Sequence, residues 1–164
     1  RSPLNYSIEN LEEGRAALTR LYIALRGSPA SSPDTPRDAA AESEFHAVME
    51  DDFNTSRAIA VLHGLATQLN KMPDRNSEQG LRAAATLRHL GGILGLLQAD
   101  ADAFLQSGSA AGISSEEINR LIEQRTAARK ARDFAEADRI RDQLLEQGVE
   151  LSDAAKGTTW TRVQ

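Results

Sequence analysis

The stretch ARKARDFAEADRIRDQLLEQGVELSDAAKGTTW, Ala128 to Trp160, changes its period partway along, and the change marks a switch from helix to strand. From Asp133 onward, Phe134, Ala137, Ile140 and Leu144 recur at the spacing of one helical face, and all four are expected to be buried. Gly148 ends that pattern. Val149 and Leu151 then alternate with Glu150 and Ser152, and Thr158, Thr159, Trp160 and Thr161 follow Gly157, which predicts a two-stranded hairpin. Asp133 and Glu136 stand in the D-x-x-E relation of a capping box. Upstream, Ser114 or Ser115 can cap a further helix carrying Ile118, Leu121, Ile122, Ala128 and Ala131. Residues 114–164 therefore read as a small mixed α/β module of two helices and a β-hairpin.

Working toward the N-terminus, residues 98–113 lose the strong period and fill with Ala, Asp, Gly and Ser, which reads as a linker with one short turn around Phe104 and Leu105. Residues 1–97 carry four amphipathic patterns. Ser7 can cap the first, with Ile8, Leu11, Leu18, Leu21, Tyr22 and Leu25 at helical spacing and Gly27 at its end. A flexible loop, GSPASSPDTPR, follows. Phe45, Val48 and Met49 mark the second helix. Asn54 or Thr55 can cap the third, in which Ile59, Leu62, Ala66 and Leu69 face inward before Pro73. The fourth begins near Ser77 and places Leu81, Leu87, Leu90, Leu94 and Leu97 inside. Its Gly91, Gly92 and Gly95 cost helix propensity, which points to a close neighbour. The fold class expected is mainly α: an antiparallel four-helix bundle, then the small α/β module.

Composition agrees and excludes much. The chain has 164 residues, 40% hydrophobic but only 4% aromatic, so the core is aliphatic and favours helices. With no Cys it has no disulfide, no thiolate zinc site and no cysteine nucleophile. Asp51 and Asp52 are adjacent carboxylates at a helix start, where capping and the helix dipole explain them. His46, His63 and His89 lie on separate helices without ligand spacing, so no metal site and no catalytic residue is assigned. No apolar run is long enough to span a membrane, and the start RSPLNYS has no signal-peptide pattern, so a cytoplasmic chain, a piece of a longer protein, is expected.

The net charge is −5, yet Arg120 to Arg141 hold seven Lys or Arg against four Asp or Glu. Arg125, Arg129 and Arg132 are spaced i, i+4, i+7, a stripe roughly 10 Å long that can follow a phosphate backbone. Arg125 and Arg132 are the expected backbone contacts. An ordinary solvated face offset by Glu123 and Asp133 explains the same spacing.

RSPLNYSIENLEEGRAAL, MEDDFNT and RKARDFAEADRIRDQLLEQGVELSDAAKGTTW, in that order, resemble the part of bacterial cysteinyl-tRNA synthetases that follows the catalytic domain. The resemblance implies a bundle that bridges catalytic core and tRNA, and a C-terminal domain that reads the GCA anticodon. It implies that the catalytic domain, with ATP and a cysteine-containing zinc site, lies upstream of Arg1, so that the chain itself holds no cofactor and is inactive alone. Its partners would be tRNA carrying GCA and that upstream domain, with the protein a monomer and no membrane involved. The anticodon readers it implies are Arg129, the aromatic Phe134 where the family often has Trp, and the carboxylates Asp138 and Asp153. Unpaired loop bases expose edges that carboxylates can accept from and faces that an aromatic ring can stack on. Phe in place of Trp keeps the face and loses the indole N–H. Asp153, beside the hairpin turn, is expected to add little to the core, and Trp160 is expected to plug the hairpin. Two alternatives share parts of the pattern: a protein-binding helical hairpin like that of excision-repair nuclease subunits, close to DFAEADRIRDQL, and a cysteine:amino-sugar ligase relative, which shares the bundle.

Overall fold

The structure, a computed structural model, describes residues 7–32, 34–107, 113–154 and 157–162. It divides into two compact units, Arg1–Ala101 and Asp102–Gln164. The first holds α1 (Ile8–Leu25), α2 (Ala39–Glu50), α3 (Thr55–Lys71) and α4 (Glu78–Ile93). Each start is capped by the side chain of a short polar residue: Ser7, Asp38, Asn54 and Ser77 accept from backbone N–H groups of the first turn. The short links after α2 and α3 return each helix alongside its predecessor, and α3 is central, packing against the other three. Phe45, Leu62, Leu69, Leu87 and Leu90 are fully buried, and Leu21, Tyr22 and Leu25 of α1 are buried as well.

The apolar line of α1 is buried only at its C-terminal end. Ile8 and Leu11 are 73% and 52% exposed, because α1 has only α3 as a substantial neighbour among the described helices. The loop after α1, expected to be flexible, is fastened by two arginines. Arg75 donates to the Ala24 and Arg26 carbonyls at 2.9 and 2.7 Å, satisfying acceptors at the α1 C-terminus. Arg88 donates to the carbonyls of Pro29 and Ser28 and to Ser31 Oγ.

The glycines of α4 have separate reasons. A Cβ on Gly91 would sit 2.7 Å from Leu97 Cδ1, so the close neighbour is the chain's own return. Gly95 has φ +72 and closes a Schellman motif, with Leu96 N–H bonded to Gly91 O and Gly95 N–H to Gly92 O. That motif ends the helix at Ile93, so Leu94 and Leu97, expected inside the helix, lie beyond it, and Leu97 folds back into the core.

The second unit contains all but the first residue of α5 (Ala101–Gln106), with α6 (Ser115–Lys130), α7 (Phe134–Glu146) and an antiparallel hairpin, β1 (Val149–Ala154) with β2 (Gly157–Arg162). Ile118, Leu121, Ile140, Leu144, Val149 and Trp160 form its core. Leu151 pairs with Trp160 across the hairpin, and the Trp160 indole N–H donates to Asn119 Oδ1 at 3.1 Å. Part of the stretch read as a linker belongs to this unit. Leu105 of α5 is buried, and Arg162 donates to Gln106 O and Ile113 O while its guanidinium lies 5.4 Å from the centroid of the Trp160 ring.

At Gly80 an added Cβ would lie 2.4 Å from the Arg75 carbonyl oxygen, whereas at Gly64 it would meet nothing within 4 Å. Gly80→Ala is therefore expected to destabilise the first unit by about 1–3 kcal/mol. Gly64→Ala, inside α3, is expected to stabilise it by about 0.5–1 kcal/mol. Urea unfolding of the two variants should show shifts of opposite sign.

Candidate nucleic-acid interface

The candidate residues gather on the second unit because α6 and α7 meet at a tight corner. Ala131 ends α6, Arg132 follows with φ 62, and Asp133 caps α7 by accepting from Glu136 N–H. Arg132 N–H bonds to Arg129 O and Asp133 N–H to Ala128 O, the two bonds of a Schellman motif, here with arginine where glycine is usual. A left-handed non-glycine residue costs about 1–2 kcal/mol. The capping box is only half formed, since the Glu136 carboxylate turns to Arg139, at 2.6 and 2.7 Å.

This corner breaks the predicted stripe. Arg132 lies off α6 and is exposed, so it is no longer the third rung of that face. Arg125 is 7% exposed and points at the hairpin, not at solvent. Its two terminal nitrogens donate to the two carboxylate oxygens of Asp153, at 2.9 and 2.8 Å. Both terminal nitrogens of Arg125 are thus committed to Asp153 and not turned to solvent, where the expected backbone contact would need them. Among the described residues, Lys130, Arg132 and Arg141 have no hydrogen-bonded or ion-paired side-chain partner and are exposed. The charge count over 120–141 contains these cations, but only the structure separates them from the paired ones.

Asp153 is the centre of the cluster. Oδ1 accepts from Arg125 and from the Thr158 hydroxyl at 2.7 Å, while Oδ2 accepts from Arg125 and from Arg129 at 3.0 Å. Hydrogen bonds from Arg125 and then Thr158, with the charges of Arg125 and Arg129, hold its carboxyl far below the usual carboxylate range. The same bond raises the Arg125 guanidinium above its ordinary value, and the charge of Asp138 adds to it. Asp153 thus lies outside the apolar core, as expected, yet it ties α6 to the hairpin through its hydrogen bonds. Sequence gave no signal for the pairing, because the partners stand 28 residues apart.

Arg129, in the last turn of α6, keeps half its side chain exposed beside a cleft of about 560 Å³ lined by Thr126, Lys130, Ala154, Gly157 and Thr158 as well as Asp153. Phe134 is 62% exposed, contrary to its expected burial, because it stands at the first position of α7, ahead of the face that Ala137, Ile140 and Leu144 bury. Asp138, one turn on, is exposed on the same side of the helix. Trp160 is buried and serves the core. Among the described residues no group of His, Cys, Asp and Glu is arranged to hold a metal ion, and no helix is long and apolar enough to cross a membrane.

Residues 44–98 match the DALR domain family, and residues 114–160 match the cysteinyl-tRNA ligase anticodon binding domain. The chain is 50% identical over 163 residues to the cysteine--tRNA ligase of Alkalilimnicola ehrlichii, covering 99% of this chain and 35% of that protein. It is 52% identical over 162 residues to that of Thioalkalivibrio sulfidiphilus, with 99% and 35% covered, and 50% identical over 165 residues to that of Halorhodospira halophila, with 100% and 35% covered. The chain thus spans 35% of the length of these curated relatives. Matches to both domains, in this order, do not support the excision-repair hairpin or amino-sugar ligase alternatives.

Asp153→Ala should strand the buried Arg125 charge and destabilise the second unit by about 2 kcal/mol, less than for a fully buried pair because the carboxylate is 43% exposed. The depressed carboxyl also sets a pH dependence. Its stabilising contribution is complete above the unfolded-state value near 3.8 and is lost as pH falls below that toward the lower folded-state value. In thermal unfolding between neutral pH and pH ~2, the stability difference between wild type and Asp153→Asn should narrow steadily once pH falls below the unfolded-state value.

Proposed function

We propose that this chain, which carries the DALR and anticodon binding domains of cysteine--tRNA ligases, is the tRNA-recognition part of such an enzyme. In this reading the second unit engages the GCA anticodon, the chain acts as part of a monomeric cytoplasmic protein, and the rest of that protein ligates cysteine to the tRNA with ATP. No catalytic role is assigned to residues of this chain. The zinc site belongs to the catalytic part as well, since there is no Cys here to supply it.

The observation that carries the reading is the exposure of Phe134 at the start of α7, with the exposed Asp138 one turn on along the same helix. A large apolar ring held in solvent at a helix corner has a face free to stack on an unpaired base, and such stacking contributes about 1–3 kcal/mol per base. Asp138, one turn away, can accept from the ring N–H and amino group of guanine, or from an amino group of cytosine or adenine. Arg129 presents donors at the cleft mouth. Lys130, Arg132 and Arg141 supply attraction for phosphates, which is independent of sequence, while the carboxylates supply discrimination.

Phe134→Ala should weaken binding of a GCA anticodon stem-loop by about 1–3 kcal/mol. It should leave thermal stability within about 0.5 kcal/mol, because the ring packs little. Arg132→Ala should weaken matched and altered anticodons alike and make the salt dependence shallower by about one ion. Equal binding of GCA and altered stem-loops by the unmodified chain would overturn the reading.

A further inference from the structure

A carboxylate offers about four acceptor positions, and the four hydrogen bonds on Asp153 fill them. A nucleobase can be read by Asp153 only if one donor leaves. The three donor side chains are not equal. Arg125 has 8% of its side chain exposed and its Nε is already buried without an acceptor, so releasing Asp153 would leave further buried donors unmet. The Thr158 hydroxyl is half-buried and is fixed opposite Asp153 by strand pairing. Arg129 is 51% exposed, stands in the last turn of α6, and makes a single bond to Oδ2, so water or phosphate can take it over at little cost.

We propose that Arg129 is the exchangeable partner of Asp153 and Arg125 its fixed one: an arriving anticodon draws the Arg129 guanidinium off Oδ2, and a base donor takes the vacated position. Arg125 never meets the nucleic acid. It is a positioning residue that holds the carboxylate plane, through its two parallel bonds, at the rim of the cleft lined by Thr126, Lys130 and Thr158. This deepens the anticodon-binding reading and rests on it.

The test observes the side-chain guanidinium N–H resonances of the complete 164-residue chain, isotopically labelled, during titration with RNA stem-loops carrying GCA or an altered anticodon. The expected result is that GCA moves the Arg129 resonances while those of Arg125 keep their positions and slow exchange. A bound GCA stem-loop that leaves Arg129 unmoved, or that releases Arg125 from slow exchange, overturns the exchange while leaving anticodon binding standing. A chain that binds neither stem-loop removes the exchange and the functional reading together. In parallel, Arg125→Lys keeps the charge but loses the bidentate hold. It should lower the preference for GCA by about tenfold with the salt dependence unchanged, the signature of a misplaced base reader rather than a lost phosphate contact. An unchanged preference in a folded Arg125→Lys chain refutes the positioning role, and if that variant does not fold the resonances of the unmodified chain decide.

Discussion

The second unit depends on a buried arginine meeting a carboxylate across the gap between helix and hairpin. A two-stranded hairpin is marginal by itself, and here it is held by apolar contact through Val149 and Trp160 and by the Arg125–Asp153 pair nearer the turn. The two fastenings act at different points. Leu151 opposite Trp160 fixes which hairpin face meets α6 and α7, and Asp153 opposite Thr158 fixes how the turn-proximal end approaches α6. An ion pair in this position gives up solvation that apolar contact would not require, so its retention is better explained by orientation than by net stability.

The corner between α6 and α7 follows the same logic. Arg132 is strained, and a glycine would relieve it, yet arginine places an exposed cation at the turn. Asp133 finishes one helix and caps the next, so the corner has no slack. Phe134 then begins α7 before that helix turns its apolar face inward, and its ring is left in solvent. Strain at Arg132 and exposure at Phe134 are two costs borne by residues on either side of Asp133, and the proposed anticodon surface would account for both.

Local patterns in the sequence were sufficient for the longer helices and the hairpin, though not for α5. Ser7, Asn54, Ser77, Ser114 and Asp133 cap the helices, and the change of period after Gly148 locates the hairpin, because these features depend on residues within a few positions of each other. What sequence did not reveal depends on partners far along the chain or on where a helix stops. Periodicity places Arg125 and Arg129 on one face of α6, but burial of the first and exposure of the second follow from where β1 lies. Ile8 and Leu11 match the helical stripe of Leu21 and Leu25 and still remain exposed, because periodicity marks a face without specifying what covers it. Leu97 matches the stripe of α4 and reaches the core by another route, since the Schellman turn at Gly95 reverses the chain first.

The placement of charge explains how an acidic chain can present a surface to a polyanion. Of the cations between Arg120 and Arg141, Arg120 is paired with Glu117, Arg139 with Glu136, and Arg125 and Arg129 with Asp153, which leaves the exposed Lys130, Arg132 and Arg141 without such a partner among the described residues. Two of these three sit at or beside the helix corner that also exposes Phe134. The net charge of −5 therefore says little about this patch, since attraction over a Debye length of about 10 Å is governed by charges nearby. A neutralised carboxylate would weaken the negative potential of the patch but remove an acceptor for base edges. Ion pairing with Arg125 does the first without the second only if some acceptor position can be vacated, and the exposed, singly bonded Arg129 is the group placed to vacate it.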